Sequence, residues 1–180
     1  GHIEYPTYEM ICSGTTGHVE AIEIIYNPKI VTYLNLLKVF FNTHDPTQVD
    51  GQGNDIGSQY LSVIYFSNDQ QKIEAQRYIE ELINNNAPIV TKLYSEKPFY
   101  KAEEYHKNYF NNNRGQPYCQ IIIEPKYKKF IKFLERNKDA AKFFIDHISL
   151  YSNVLDINLI DQHTNRWVWR RLSENKSLLW

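Results

Sequence analysis

Apolar residues recur along this chain with two periods, and the periods alternate. In "VEAIEIIY", residues 19–26, Val19, Ala21 and Glu23 fall on one side and Glu20, Ile22 and Ile24 on the other. A period of two predicts a strand. "NPK" ends it. From Thr32 the spacing becomes helical, with Tyr33, Leu36, Leu37, Phe40 and Phe41 on one stripe, so "TYLNLLKVFFNTH" reads as an amphipathic helix with Thr32 as its N-cap. "DPTQVDGQGNDIGSQY" is a long polar loop carrying Gly51, Gly53 and Gly57. A loop of that length inside a compact domain is either functional or disordered.

"QYLSVIYF" reads as a strand and "NDQQKIEAQRYIEELI" as a helix whose face holds Ala75, Tyr78, Ile79, Leu82 and Ile83. "PIVTKLY" reads as another strand. The succession strand–helix–strand–helix–strand predicts a mixed α/β sheet with helices on one side. Downstream, "PFYKAEEYHKNYFNNN" reads as a short helix running into a loop, and "YCQIIIEP" as a short strand. "YKKFIKFLERNKDAAKFFIDHI" carries two helical stripes, one through Tyr127, Phe130, Ile131 and Leu134, the other through Ala141, Phe144, Ile145 and Ile148. From Ser149 to Trp180 there is no clear period, although "RWVWRRL" fits a strand. There is no internal repeat, and the "NNN" runs read as loop filler.

Composition narrows the function classes. At 180 residues with 42% hydrophobic content, the chain can build the core of one domain of ordinary size, with room for an appendage. Lys+Arg 20 against Asp+Glu 21 gives a net charge of -1 and no electrostatic case for nucleic acid or an anionic membrane. The 14 tyrosines can pack and can also supply hydroxyls to a pocket. Cys12 and Cys119 lie far apart and fit neither a zinc pattern nor a disulfide framework, so a reduced, cytoplasmic chain is expected. No signal peptide is visible, and "FFIDHISLYSNVLDINLI" is too polar to span a bilayer. The chain begins at Gly1 and its one methionine is Met10, which leads to the expectation that it is not a complete translation product.

Three local patterns invite chemistry and have plainer readings. "ICSGTTGH" around Cys12 suggests a phosphate-binding nucleophile loop, but no arginine closes it, and a buried packing thiol is the plainer reading. His44–Asp45 lacks a second His/Asp pair at ligand spacing, so a turn opened by Asp45–Pro46 is preferred. Glu103 and His106 share a helix face that reads as solvated.

Taken together, four blocks resemble the peptide-methionine sulfoxide reductase A family. They are "YPTYEMICSGTTGHVEAIEIIYNP", "FFNTHDPTQVDGQGNDIGSQYLSVIYF", "PFYKAEEYHKNYF" and "PYCQIIIEPK", in the family's order and spacing. The resemblance covers about residues 1–137 and leaves residues 138–180 as a tail outside the family. It implies an α+β fold, a ferredoxin-like mixed sheet with helices on one face, N-terminally incomplete. It also implies reduction of methionine S-sulfoxide, free or in proteins. A cysteine thiolate attacks the sulfoxide sulfur, an acid protonates the departing oxygen, and a second cysteine and then thioredoxin restore the thiol. No cofactor or metal is implied.

Carried over by motif, Glu20 in "GHVE" matches the proton donor, expected in a partly closed apolar setting that raises its pKa. Tyr8 in "PTYE" and Tyr60 in "GSQY" match the hydroxyls that hold the sulfoxide oxygen. Asp55 in "GND" matches a residue that orders the site, and Tyr118 falls on the substrate side. Cys119 matches the recycling thiol of some members, and Cys12 matches a cysteine that is not the nucleophile. The family's "GCFWG" nucleophile motif does not occur in the 180 residues, so little or no turnover is expected from this polypeptide alone. The alternatives are a non-catalytic sulfoxide-binding module and a degenerate fragment without selected function.

Overall fold

The computed structural model describes residues 1–29, 31–106 and 109–137. The chain forms two compact units: Gly1–Glu23 with Thr32–Ala102, and Ile24–Val31 with the chain from Glu103 onward. The stripe through Ala141 to Ile148 and the "RWVWRRL" segment lie outside the described residues.

The first unit starts with a short helix, α1 (Tyr8–Cys12), capped by Thr7, whose hydroxyl accepts from the Met10 N–H at 3.4 Å. Helix α2 (Tyr33–Thr43) starts where its periodicity does, and Thr32 accepts from the Asn35 N–H at 3.2 Å. Helix α3 (Asp69–Asn84) is capped by Asn68, which accepts from the Gln71 N–H at 2.9 Å. Such caps satisfy one of the orphan donors at a helix start. Strands β3 (Val63–Phe66) and β4 (Lys92–Ser95) flank α3 and pair in parallel, Ile64 opposite Leu93. A parallel pair needs a crossover, and α3 supplies it.

The core of this unit forms where α2 meets α3. Leu37, Phe41 and Ala75 are buried, with Ile64, Tyr78, Leu82 and Leu93 packed against them. A polar pin sets the depth of this assembly. His44, just past α2, meets Ser62 Oγ through Nε2 at 2.8 Å, and Ser62 Oγ lies 2.8 Å from Thr91 Oγ1, just before β4. The architecture is α+β.

The polar loop is ordered by its own amides. Within it, β1 (Gly51–Gln52) and β2 (Asp55–Ile56) form a small antiparallel hairpin, turning at Gly53 with φ +66°. Gln52 grips Asp45, accepting from its N–H at 2.9 Å and donating to its carbonyl at 3.0 Å. Gln48 grips Gly53 in the same manner, at 2.6 and 3.1 Å. Asp45 Oδ1 accepts from the Thr47 N–H at 2.9 Å, the turn expected at Asp45–Pro46. A single 3-10 turn, Ser58–Tyr60, follows.

The second unit contains a 3-10 turn (Glu104–His106), α4 (Tyr109–Asn112), a π-helical turn (Cys119–Ile123) and α5 (Glu124–Arg136). Ile123, Tyr127, Phe130, Ile131 and Leu134 are buried along one stripe, and the Tyr127 ring lies 5.7 Å from that of Phe110.

Two expectations fail. Residues 118–125 are helical rather than a strand. The three isoleucines favour a strand, but the α5 stripe extends back through Ile123 to Cys119 at spacings of four. Burying that stripe outweighs β propensity, and Ile121 is left 67% exposed. Residues 19–26 are not in a ladder. Their burial alternates from Glu20 to Tyr26, as the pattern requires, but the Glu20 N–H donates to the Gln59 carbonyl of the 3-10 turn rather than to a strand. Among the described residues, no helix is long and apolar enough to cross a membrane.

Candidate active site

Three local devices in the first unit converge. The first is α1, which places Tyr8 and Cys12 four residues apart, neighbours on one helix face. The Tyr8 hydroxyl is hydrogen-bonded to the Cys12 side chain. That bond chiefly holds the phenol proton in place and pushes its pKa well above the ordinary value of 10.0. Partial burial adds to this, as do charges at Cys12, Tyr60 and Glu20.

The second device is the turn from Gly14 to His18. Gly14 and Gly17 sit at φ +70° and +67°, the left-handed region that glycine enters without a steric penalty. Between them Thr16 is buried; its carbonyl accepts from the His2 N–H at 3.0 Å and its hydroxyl from the His18 N–H at 3.2 Å. The chain leaves this turn as an extended run and presents Glu20, half-buried.

The third device is the 3-10 turn. It is fastened to the second device at two points: Ser58 Oγ donates to the Gly14 carbonyl at 3.2 Å, and Gln59 accepts from the Glu20 N–H at 2.8 Å. Tyr60 is thereby set near Glu20. Burial raises the Tyr60 pKa above 10.0, the negative charge of Glu20 raises it further, a Gln59 side-chain hydrogen bond opposes the shift, and Asp55 and Cys12 add smaller increments.

Tyr8, Glu20, Asp55 and Tyr60 thus form one electrostatically coupled cluster. Cys12, read from the sequence as a buried packing thiol, is exposed and belongs to that cluster. The reason is helical: its position four residues after Tyr8 places it beside the phenol. Cys119 and Tyr118 lie in the second unit, and Cys119 is fully buried. Gln59 was missed. Its one sequence signal is its place between Gly57 and Tyr60, and a glutamine in a polar loop carries no chemical label.

The cluster is open to solvent, with Tyr8 39% exposed. A cleft of about 260 Å³ lined by Val49, Ile56, Leu61 and Val90, among others, includes none of these residues. No group of three His, Cys, Asp or Glu side chains able to hold a metal ion occurs among the described residues. Two phenols that keep their protons at neutral pH, beside a carboxyl group, can grip and protonate the oxygen of a neutral polar ligand.

Comparison with known proteins bears on this chemistry. The family model described as peptide methionine sulfoxide reductase matches residues 1–139. A peptide methionine sulfoxide reductase MsrA of Nautilia profundicola is 46% identical over 133 residues, covering 74% of this chain and 77% of the relative. One from Acinetobacter baumannii is 48% identical over 140 residues, covering 77% and 80%. The crystal structure of Mxr1 from Saccharomyces cerevisiae in reduced form superposes with a TM-score of 0.61 at 34% identity, covering 66% of this chain and 67% of that one. The chain belongs to the peptide methionine sulfoxide reductase family, oxidoreductases that reduce methionine sulfoxide.

Proposed function

We propose that the cluster is the oxygen-binding half of the reductase site. Tyr60 donates its O–H to the sulfoxide oxygen, Tyr8 turns its O–H from Cys12 onto the same oxygen when the ligand arrives, and Glu20 supplies the proton that oxygen takes on leaving. Asp55 supports Tyr60 from the hairpin. The observation that carries this reading is the convergence of both phenols and the carboxyl group, from a helix, an extended run and a 3-10 turn, within electrostatic reach. Raised phenol pKa values suit the role, because a phenolate could only accept.

The sulfur chemistry needs a thiolate, which attacks the sulfoxide sulfur and leaves as a sulfenic acid, releasing methionine. Neither Cys12 nor Cys119 is followed by Phe-Trp. The 180-residue polypeptide therefore binds oxidised methionine but is not expected to turn it over by itself. In a competent reductase, thioredoxin in the cytoplasm is the reductant. Cys119 would have to be uncovered before serving as a recycling thiol, since it is fully buried. Tyr118 is the remaining candidate on the substrate side.

Binding is tested by NMR titration with N-acetylmethionine sulfoxide, using the thioether as control. The amides of Glu20 and Tyr60 should shift with the sulfoxide only, and Tyr8→Phe should weaken the effect. Equal shifts with the thioether would remove the oxygen-binding role.

A further inference from the structure

The chain has one methionine, and it sits on the helix that carries Tyr8. Helix α1 buries none of its five residues, and Met10 at its centre is 46% exposed. The main chain there is held at both polar groups: the Met10 N–H donates to Thr7 at 3.4 Å, and its carbonyl accepts from Ser13 Oγ at 2.6 Å. The side chain beyond these anchors is open to solvent. Tyr5, 82% exposed, and Tyr8 add further apolar surface within the same short stretch. Apolar surface gathered beside a polar cluster marks an interaction site. The cluster itself is tied to this helix through the main chain. Ser58 Oγ donates at 3.2 Å to the carbonyl of Gly14, two residues past α1, and the Glu20 N–H donates at 2.8 Å to the Gln59 carbonyl beside Tyr60.

Oxidation turns the Met10 side chain into the ligand that the site reads. A hydroperoxide gives one oxygen to the thioether sulfur. The S–O bond forms and the O–O bond breaks; sulfur loses two electrons, and the peroxide departs as water or an alcohol carrying the proton. The resulting sulfoxide cannot reach the cluster of its own chain. Tyr8 and Cys12 share a helix face, and Met10, two residues from each, lies about 200° around the helix from both. A second copy meets no such limit. Ligand and site lie on and beside one short helix, so a two-fold axis next to α1 brings each Met10 to the other copy's cluster. Such a contact closes at two copies.

We propose that Met10 is a peroxide-sensitive modification site whose sulfoxide docks in the Tyr8, Glu20 and Tyr60 cluster of a second copy of this chain, so that oxidation pairs two copies and covers both sites. This rests on the proposed sulfoxide-binding role of the cluster. Reduction of Met10 back to the thioether releases the pair, because the thioether lacks the oxygen that the phenols grip.

The test treats the 180-residue chain with hydrogen peroxide and then restores its thiols with dithiothreitol. Mass spectrometry confirms one added oxygen on the Met10 peptide. Sedimentation is run at chain concentrations above the dissociation constant found for N-acetylmethionine sulfoxide. The oxidised wild type should be a dimer; untreated wild type and peroxide-treated Met10→Leu should be monomers. N-acetylmethionine sulfoxide should dissociate the dimer, and the thioether should not. Isotope-labelled, untreated Met10→Leu then serves as the receptor for unlabelled oxidised wild type. Its Glu20 and Tyr60 amides should shift as they do with the small sulfoxide. Tyr60→Phe added to the labelled chain should weaken that binding about two- to tenfold, the worth of one neutral hydrogen bond. An oxidised chain that stays monomeric and leaves those amides unmoved, while the small sulfoxide still binds, overturns the inference and leaves the site reading standing. Equal association by the untreated chain or by treated Met10→Leu overturns it too, since Met10 sulfoxide is then not the ligand. If N-acetylmethionine sulfoxide itself does not bind, the site reading fails and the inference fails with it.

Discussion

At the scale of single residues, the cluster stores its chemistry in protons that are hard to remove. Tyr8 and Tyr60 both have folded pKa values raised above the ordinary 10.0. A raised folded value means the stability these groups contribute is fully present below about pH 10 and is lost as pH climbs from there toward the folded values. The urea midpoint of the wild-type chain should therefore fall more steeply above pH 10 than that of Tyr8→Phe. An identical slope in the two proteins would show that Tyr8 titrates normally. Gly57 makes a second residue-scale prediction. Gly57→Ala forces a side chain into φ +147° and into the Gln59 amide, and should cost about 1–3 kcal/mol in urea unfolding. Site residues were legible here to unequal degrees. Glu20, Tyr8 and Tyr60 could be named as candidates because "GHVE", "PTYE" and "GSQY" resemble motifs of the family. Gln59 could not, because its role depends on which loop lies across from it.

At the scale of elements, the sequence was readable where local physics decides and unreadable where a partner decides. Helices α2 and α3 begin at Thr32 and Asn68 because a cap and a stripe start together. Residues 118–125 misled because three isoleucines argue locally for a strand, while the stripe from Cys119 to Leu134 argues over a longer range for a helix. Residues 19–26 alternate as a strand does, but pairing is a property of the neighbour and is invisible in the segment itself. Helix α1 is too short to show a period. The polar loop could not be assigned to order or disorder from composition, since its order comes from two glutamines that each make a pair of bonds to the main chain. Gln48→Ala removes one such pair and should cost about 1–3 kcal/mol. Amide exchange at Gly53 is the readout, and unchanged protection there would mean the hairpin holds itself.

At the scale of the molecule, the proposed oxygen-binding residues Tyr8, Glu20 and Tyr60 and the buried Cys119 belong to different compact units. Binding and turnover can therefore be separated by experiment. The 180-residue polypeptide should bind the sulfoxide yet show no more than background oxidation of NADPH in a thioredoxin-coupled assay. Robust turnover that disappears in Cys12→Ser would place the nucleophile beside Tyr8. Turnover that disappears in Cys119→Ser would place it in the second unit.

The π-helical turn at Cys119–Ile123 has a consequence for how the gene can change length. Its closing bond runs from the Glu124 N–H to the Cys119 carbonyl, five residues back instead of four. The turn therefore holds one residue more than an α-turn needs. Deleting Gln120, which is exposed, would convert it to an α-turn and leave the register of Tyr127, Phe130, Ile131 and Leu134 intact. Deleting Lys128 instead would rotate everything beyond it by about 100° and carry Phe130, Ile131 and Leu134 out of the buried stripe. The Gln120 deletion should melt close to wild type and the Lys128 deletion far below it. Equal losses would mean that the extra residue is not surplus, and that this part of the protein has no spare length for a codon deletion to remove.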